Sequence, residues 1–187
     1  MKLKKNELLI YKITIMMNEN LKNKKILFCD LDGTLIETIS GSTFPKGIWD
    51  MQFRFDVLDA IKELNPEYVF IVSNQGGIES GFINEYHFAD KCQYVCDIIK
   101  EYCKIENVWF TYCTTNDKTA EDRKPNIGMI EYMLEMYFNN EFNNELKTGL
   151  LMIGDASGKE GQFSDSDKKT AENFGIDYMD VDDFVKI

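Results

Sequence analysis

The sequence predicts an α/β fold, a Rossmann-like parallel sheet with helices on both faces. Three observations carry that expectation. Five short apolar runs show no polar alternation, the pattern of strands buried on both sides. Helical periodicities separate them, and strand alternating with helix implies parallel strands joined by right-handed crossovers. The reactive side chains stand directly after the runs, where open α/β sheets bind ligands.

The first run, Ile26–Cys29, leads into Asp30-Leu31-Asp32-Gly33-Thr34. A helix is expected over Asp56–Leu64, with Val57, Leu58, Ile61 and Leu64 on one side. The second run, Tyr68–Val72, leads into Ser73-Asn74-Gln75-Gly76-Gly77. Asn84–Cys103 reads as a long amphipathic helix. Its Cys92, Cys96 and Cys103 share a face with Phe88, Val95 and Ile99, which suits core packing. No CxxC occurs and His87 is the single histidine, so a zinc site is not expected. The third run, Val108–Cys113, precedes a loop reaching Arg123-Lys124-Pro125, and Asn126–Phe138 repeats apolar residues at helical spacing. Asn139–Lys147 is a polar, Asn-rich loop. The fourth run, Leu150–Ile153, ends on Gly154-Asp155. A helix over Asp167–Phe174 stops at Gly175, a C-capping residue, before the last run, Ile176–Met179.

The chain has 187 residues, 44% of them hydrophobic and 28% charged, which is material for one domain. Its net charge of −11 disfavours nucleic acid and anionic membrane over the surface as a whole. Residues 1–25 are the exception: seven lysines face Glu7 and Glu19, a local excess of +5. We therefore expect a basic N-terminal extension, 1–23, ahead of a domain at 24–187. The apolar stretch Leu8–Met17 falls short of the roughly 20 residues of a membrane span and lacks a small-residue cleavage site. No membrane association is expected. Five cysteines without a pairing pattern point to reduced thiols and an intracellular compartment.

Asp30 and Asp32 are two apart on an extended backbone, so their side chains are expected to point the same way. Adjacent carboxylates repel unless they share a proton or a cation. Asp155 arrives at the same sheet edge. Hard oxygen donors without His or Cys suggest Mg²⁺. Ser73, Asn74 and Lys124 offer the hydroxyl, amide and ammonium donors that phosphate oxygens need. Together these describe phosphoryl transfer. "GDASGK" does not make an ATP site, because Gly154 and Gly158 are too close and Glu160 stands where Ser or Thr is required. In a phospho-accepting receiver domain the accepting Asp follows a middle strand, whereas here Asp-x-Asp-Gly-Thr follows the first.

"DLDGTL" (Asp30–Leu35), "SNQGG" (Ser73–Gly77), "RKP" (Arg123–Pro125) and "GDA…SDSD" (Gly154–Asp167) resemble, in order, the four motifs of haloacid-dehalogenase-type phosphatases. "SGSTFPKGIWD", "SNQGGI", "RKPNIGM" and "FSDSDKKTAENFGI" are similar to the polynucleotide 3′-phosphatase group within that superfamily. The resemblance runs from Lys24 to Phe184. It implies a haloacid-dehalogenase-like domain. Many such relatives carry a large cap, but only about twenty residues separate Thr34 from the helix near Asp56, so a capless domain with a short flap, Ser40–Phe55, is expected. It implies that Asp30 is the nucleophile and that Asp32 protonates the leaving oxygen and then activates water. Ser73 and Lys124 would hold the phosphoryl oxygens. Mg²⁺ would be held by Asp30, Asp32 (through its backbone carbonyl), Asp155 and Asp167. Thr34, Asn74, Arg123 and Phe44 would meet phosphate or substrate. Of the flap aromatics Phe44, Trp49, Phe53 and Phe55, at least one is expected to stack on a terminal base, with packing of the flap onto the body the alternative for each. The implied substrate is a nucleic-acid 3′-phosphate end, DNA in the first instance. Two alternatives are a small-molecule phosphatase of the sugar-bisphosphate or histidinol-phosphate type, and a catalytically inactive end-binding module.

Overall fold

The computed structural model describes residues 23–138 and 146–187. The basic extension up to residue 22 and the Asn-rich loop up to residue 145 lie outside the described residues.

Five strands form one parallel sheet: β1 (Ile26–Cys29), β4 (Tyr68–Asn74), β5 (Asn107–Cys113), β6 (Leu150–Gly154) and β7 (Asp177–Asp180). The order is β5-β4-β1-β6-β7, so the chain starts in the middle, builds outward to one edge, then returns to build the other. β1 is bonded on both sides, Cys29 standing between Ile71 and Ile153. Every β1 residue is buried, which is why this strand reads as an unbroken apolar run.

Alternate strand residues face two cores. Leu27, Cys29, Val69, Ile71, Leu151 and Ile153 meet α1 (Phe55–Leu64), α3 (Glu85–Cys103) and α6 (Val181–Phe184) on one face. Phe28, Phe70, Val72 and Met152 meet α4 (Gly128–Phe138) and α5 (Ser166–Phe174) on the other. The helix limits follow from capping. Asn84 accepts a bond from the His87 N–H at 3.2 Å to start α3. Gly175, at φ +81°, closes α5 with its N–H on the Ala171 carbonyl. The predicted cysteine face is present: Cys92, Cys96 and Cys103 are buried, and all five thiols are free.

The expected runs and helices agree with these elements to within two residues at each end. Four short pieces were not anticipated: the hairpin β2 (Ile36–Glu37) with β3 (Gln52–Phe53), α2 (Gly76–Glu79), a 3-10 turn at Leu146–Gly149, and α6. Among the described residues no helix is long and apolar enough to cross a membrane.

Candidate active site

The central strand delivers Asp30 to the carboxyl edge of the sheet, its N–H bonded to the Ile153 carbonyl at 3.0 Å. The carboxylates of Asp30, Asp155 and Asp167 converge there, with one oxygen from each within 4.8 Å of the others. Lys124 Nζ sits among them, 2.6 Å from Asp30 Oδ1 and 2.7 Å from Asp167 Oδ1. Lys124 and Asp167 are almost completely buried. Two glycines permit the crowding. A Cβ at Gly33, which has φ +86°, would collide with the Asp155 carboxylate, and a Cβ at Gly154 would collide with that of Asp167.

One ammonium does not balance three carboxylates. Burial pushes the Asp30 carboxyl well above its ordinary value; Lys124 opposes this, and Asp167 and Asp155 add to it. Asp155 is raised to about 6, by burial and then by Asp167. Burial works against the Lys124 charge, but Asp167 and Asp30 outweigh it and hold the lysine protonated. The donor set fits a hard divalent cation: three oxygen ligands with surplus negative charge and no nitrogen or sulfur among them.

Asp32 stands apart from this cluster. Its side chain is 47% exposed, and its two oxygens are held from different elements. Gln75 Nε2 donates to Oδ2 at 2.6 Å, and Lys91 Nζ is 3.5 Å from Oδ1. The carboxylates of Asp30 and Asp32 thus have different partners, Lys124 for the first and Gln75 and Lys91 for the second. The Asp32 carboxylate is not among the clustered ligand atoms. Ser73 is buried, and its Oγ accepts a bond from Gln75 Nε2 at 2.9 Å.

Two residues expected to meet the substrate also tie the loops of the site together. Thr34 is fully buried. Its hydroxyl accepts from the Asp155 N–H at 3.1 Å and lies 3.5 Å from Asp30 Oδ2, tying the loops after β1 and β6 together. Asn74 spends both ends of its amide on the Lys124 backbone, with bonds of 2.9 Å to the N–H and to the carbonyl. Arg123 donates from Nη1 to the Thr115 carbonyl at 2.6 Å. Gln75 and Lys91 were given no role from the sequence. Lys91 left a signal there, as a lysine inside the apolar stripe between Phe88 and Cys92.

The flap is the β2–β3 hairpin and its connecting loop. Asp50 knots that loop, accepting from the Ser40 N–H, the Ser40 hydroxyl and the Lys46 N–H. Trp49 and Phe53 pack on Tyr94 of α3, and Phe55 packs on Tyr102. Phe44 does not pack down in this way. It is 72% exposed and meets Phe163, itself exposed, edge-on at 6.5 Å.

The family model for polynucleotide kinase 3 phosphatase matches residues 25–185. The chain belongs to that family. Its relatives within and around the polynucleotide kinase 3 phosphatase family differ in length and name. An uncharacterized 20.8 kDa protein of Autographa californica nuclear polyhedrosis virus is 30% identical over 179 residues, 91% of either chain. The bifunctional polynucleotide phosphatase/kinase of Schizosaccharomyces pombe is 31% identical over 167 residues, 87% of this chain and 38% of that protein. The histidine biosynthesis bifunctional protein HisB of Legionella pneumophila is 28% identical over 171 residues, 84% of this chain and 41% of that one. The chain therefore spans about two fifths of either bifunctional relative. A D,D-heptose 1,7-bisphosphate phosphatase from B. bronchiseptica, crystallised with magnesium and phosphate, shares the fold. It superposes with a TM-score of 0.61 at 18% identity, over 82% of this chain and 78% of that one.

Proposed function

We propose that this protein is a Mg²⁺-dependent phosphatase that removes the 3′-phosphate from nucleic-acid ends, DNA in the first instance. The observation that carries this reading is the family match across residues 25–185. The small flap agrees with it. Among the described residues the segment between Thr34 and α1 holds a two-stranded hairpin and no cap domain, so a polymer end has access, and Phe44 offers an exposed ring for a terminal base.

Asp30 would attack phosphorus, forming an acyl-phosphate as the bond to the sugar oxygen breaks, with Asp32 giving that oxygen its proton. Asp32 would then take a proton from water, whose oxygen displaces the Asp30 carboxylate and releases inorganic phosphate. Lys124 and Ser73 would hold the phosphoryl oxygens through both steps. Asp30, Asp155 and Asp167 would hold Mg²⁺, which when bound offsets the charge of the carboxylates and the phosphoryl group. Intact Asp30 and Asp32 speak against an inactive end-binding module.

HisB similarity favours a second reading, a small-molecule phosphatase of the histidinol-phosphate or sugar-bisphosphate type. A panel with Mg²⁺ separates the two: a 3′-phosphorylated oligonucleotide, its 5′-phosphorylated isomer, histidinol phosphate and a sugar bisphosphate. The proposal expects kcat/KM to be highest for the 3′-phosphate end. A preference for either small ester would replace it with the second reading.

A further inference from the structure

Lys91 is a buried cation to which the phosphoryl-transfer scheme gives no task. It lies on α3 with 3% of its surface exposed, and its Nζ is 5.8 Å from the centre of the Phe88 ring. Lysine is seldom buried without an anionic partner. Its ion pair is with Asp32, at 3.5 Å. The other oxygen of Asp32 takes the 2.6 Å bond from Gln75, whose amide also donates to Ser73. One carboxylate is thus gripped from a helix on one side and from the loop after β4 on the other.

We propose that Lys91 is a positioning residue for Asp32, setting the direction in which that carboxylate exchanges protons with the leaving oxygen and with water. The proposal rests on the reading of Asp32 as acid and base. Asp32 is half exposed and neighbours a carboxylate cluster that repels it, so without a cation its favoured rotamer is the one turned to solvent. Lys91 and Gln75 oppose that turn. General acid–base catalysis is worth about 10²- to 10⁴-fold, and a displacement of about 1 Å can cost about 10²-fold.

The test is a double-mutant cycle on the full chain with Mg²⁺ and an alkyl phosphate ester. Lys91→Met keeps the length and apolar packing of the stripe. It is expected to lower kcat by about 10- to 100-fold with KM little changed. In an Asp32→Asn background the same change is expected to cost less than about threefold, because the group it acts through is already lost. Lys91→Arg, which keeps a charge and donors, is expected to recover part of the loss. An equal loss in both backgrounds overturns the proposal, as does a Lys91→Met enzyme with unaltered kcat. If Lys91→Met has no cooperative unfolding transition, Lys91→Gln carries the same cycle. Failure of the underlying reading is visible separately: Asp32→Asn alone would then turn over at the wild-type rate.

Discussion

The two aspartates two positions apart have different surroundings, and this should separate their variants. Asp30 is buried against Lys124, whereas Asp32 is half exposed and held by Gln75 and Lys91. Asp30→Asn is expected to abolish both turnover and phosphoprotein formation, because it removes the attacking oxygen. Asp32→Asn keeps that oxygen. With an aryl phosphate, whose leaving group needs no proton, it should still form a phosphoprotein and hydrolyse it about 10²- to 10⁴-fold more slowly than wild type. Rapid-quench trapping of labelled protein decides this; an Asp32→Asn enzyme that never labels would undo the division of roles. What sequence alone did not reveal at the site is mainly the set of bonds between residues far apart along the chain. Thr34 looks like a donor beside a catalytic motif, but its hydroxyl is spent on Asp155 and Asp30. Asn74 looks like a phosphate ligand, but both ends of its amide are spent on Lys124.

At the scale of elements, the three inner strands β1, β4 and β6 were legible because they are buried on both faces, which leaves uninterrupted apolar runs. Helices α1, α3, α4 and α5 were legible for the complementary reason, since each keeps one apolar side over a length of 9 to 19 residues. The hairpin was not legible. Two-residue strands have no period to detect, and Ile36–Glu37 finds Gln52–Phe53 only through the loop knotted on Asp50. α2 was missed because it begins on two glycines, poor helix formers. The knot gives the hairpin a testable role. Asp50→Ala should free the Ser40–Lys46 loop that carries Phe44 while leaving the sheet edge intact. The expected result is a KM for a 3′-phosphorylated oligonucleotide raised roughly threefold to tenfold, the scale of one or two exposed hydrogen bonds. Hydrolysis of a small aryl phosphate should be unaltered. An equal effect on both substrates would show that the loop supports the catalytic edge rather than the flap.

At the scale of the whole molecule, the buried cluster couples stability, protons and metal. Asp155 has a folded pKa of about 6, and Asp30 is also raised, both above the unfolded carboxylate value of about 4. For groups raised in this sense, the contribution to stability is complete below about pH 4 and is lost as pH climbs through the folded values. Metal binding requires the deprotonated carboxylates. The rise in Tm on adding Mg²⁺ should therefore be small at pH 5 and larger at pH 8, and scanning calorimetry across that range checks it. A rise that does not vary with pH would exclude these carboxylates as the ligands. We propose that the basic segment, with seven lysines in residues 1–25, takes part in binding the substrate. Removing residues 1–21 should leave small-ester hydrolysis unchanged but weaken oligonucleotide binding. The log–log salt slope should flatten by about 0.7 to 0.9 for each lysine–phosphate pairing removed; an unchanged slope would assign no binding role to the segment. The cluster also has a consequence in time. Lys124 bonds Asp30 across 94 positions, and Thr34 bonds Asp155 across 121. Groups this far apart in sequence must first meet the entropy of closing a long loop, so they join late. A refolding chain should regain its helical signal before it regains any turnover. Catalysis would then report completion of the slowest step, and a nascent chain that has not yet made β6 would lack Asp155 and Asp167, two of the three clustered carboxylates.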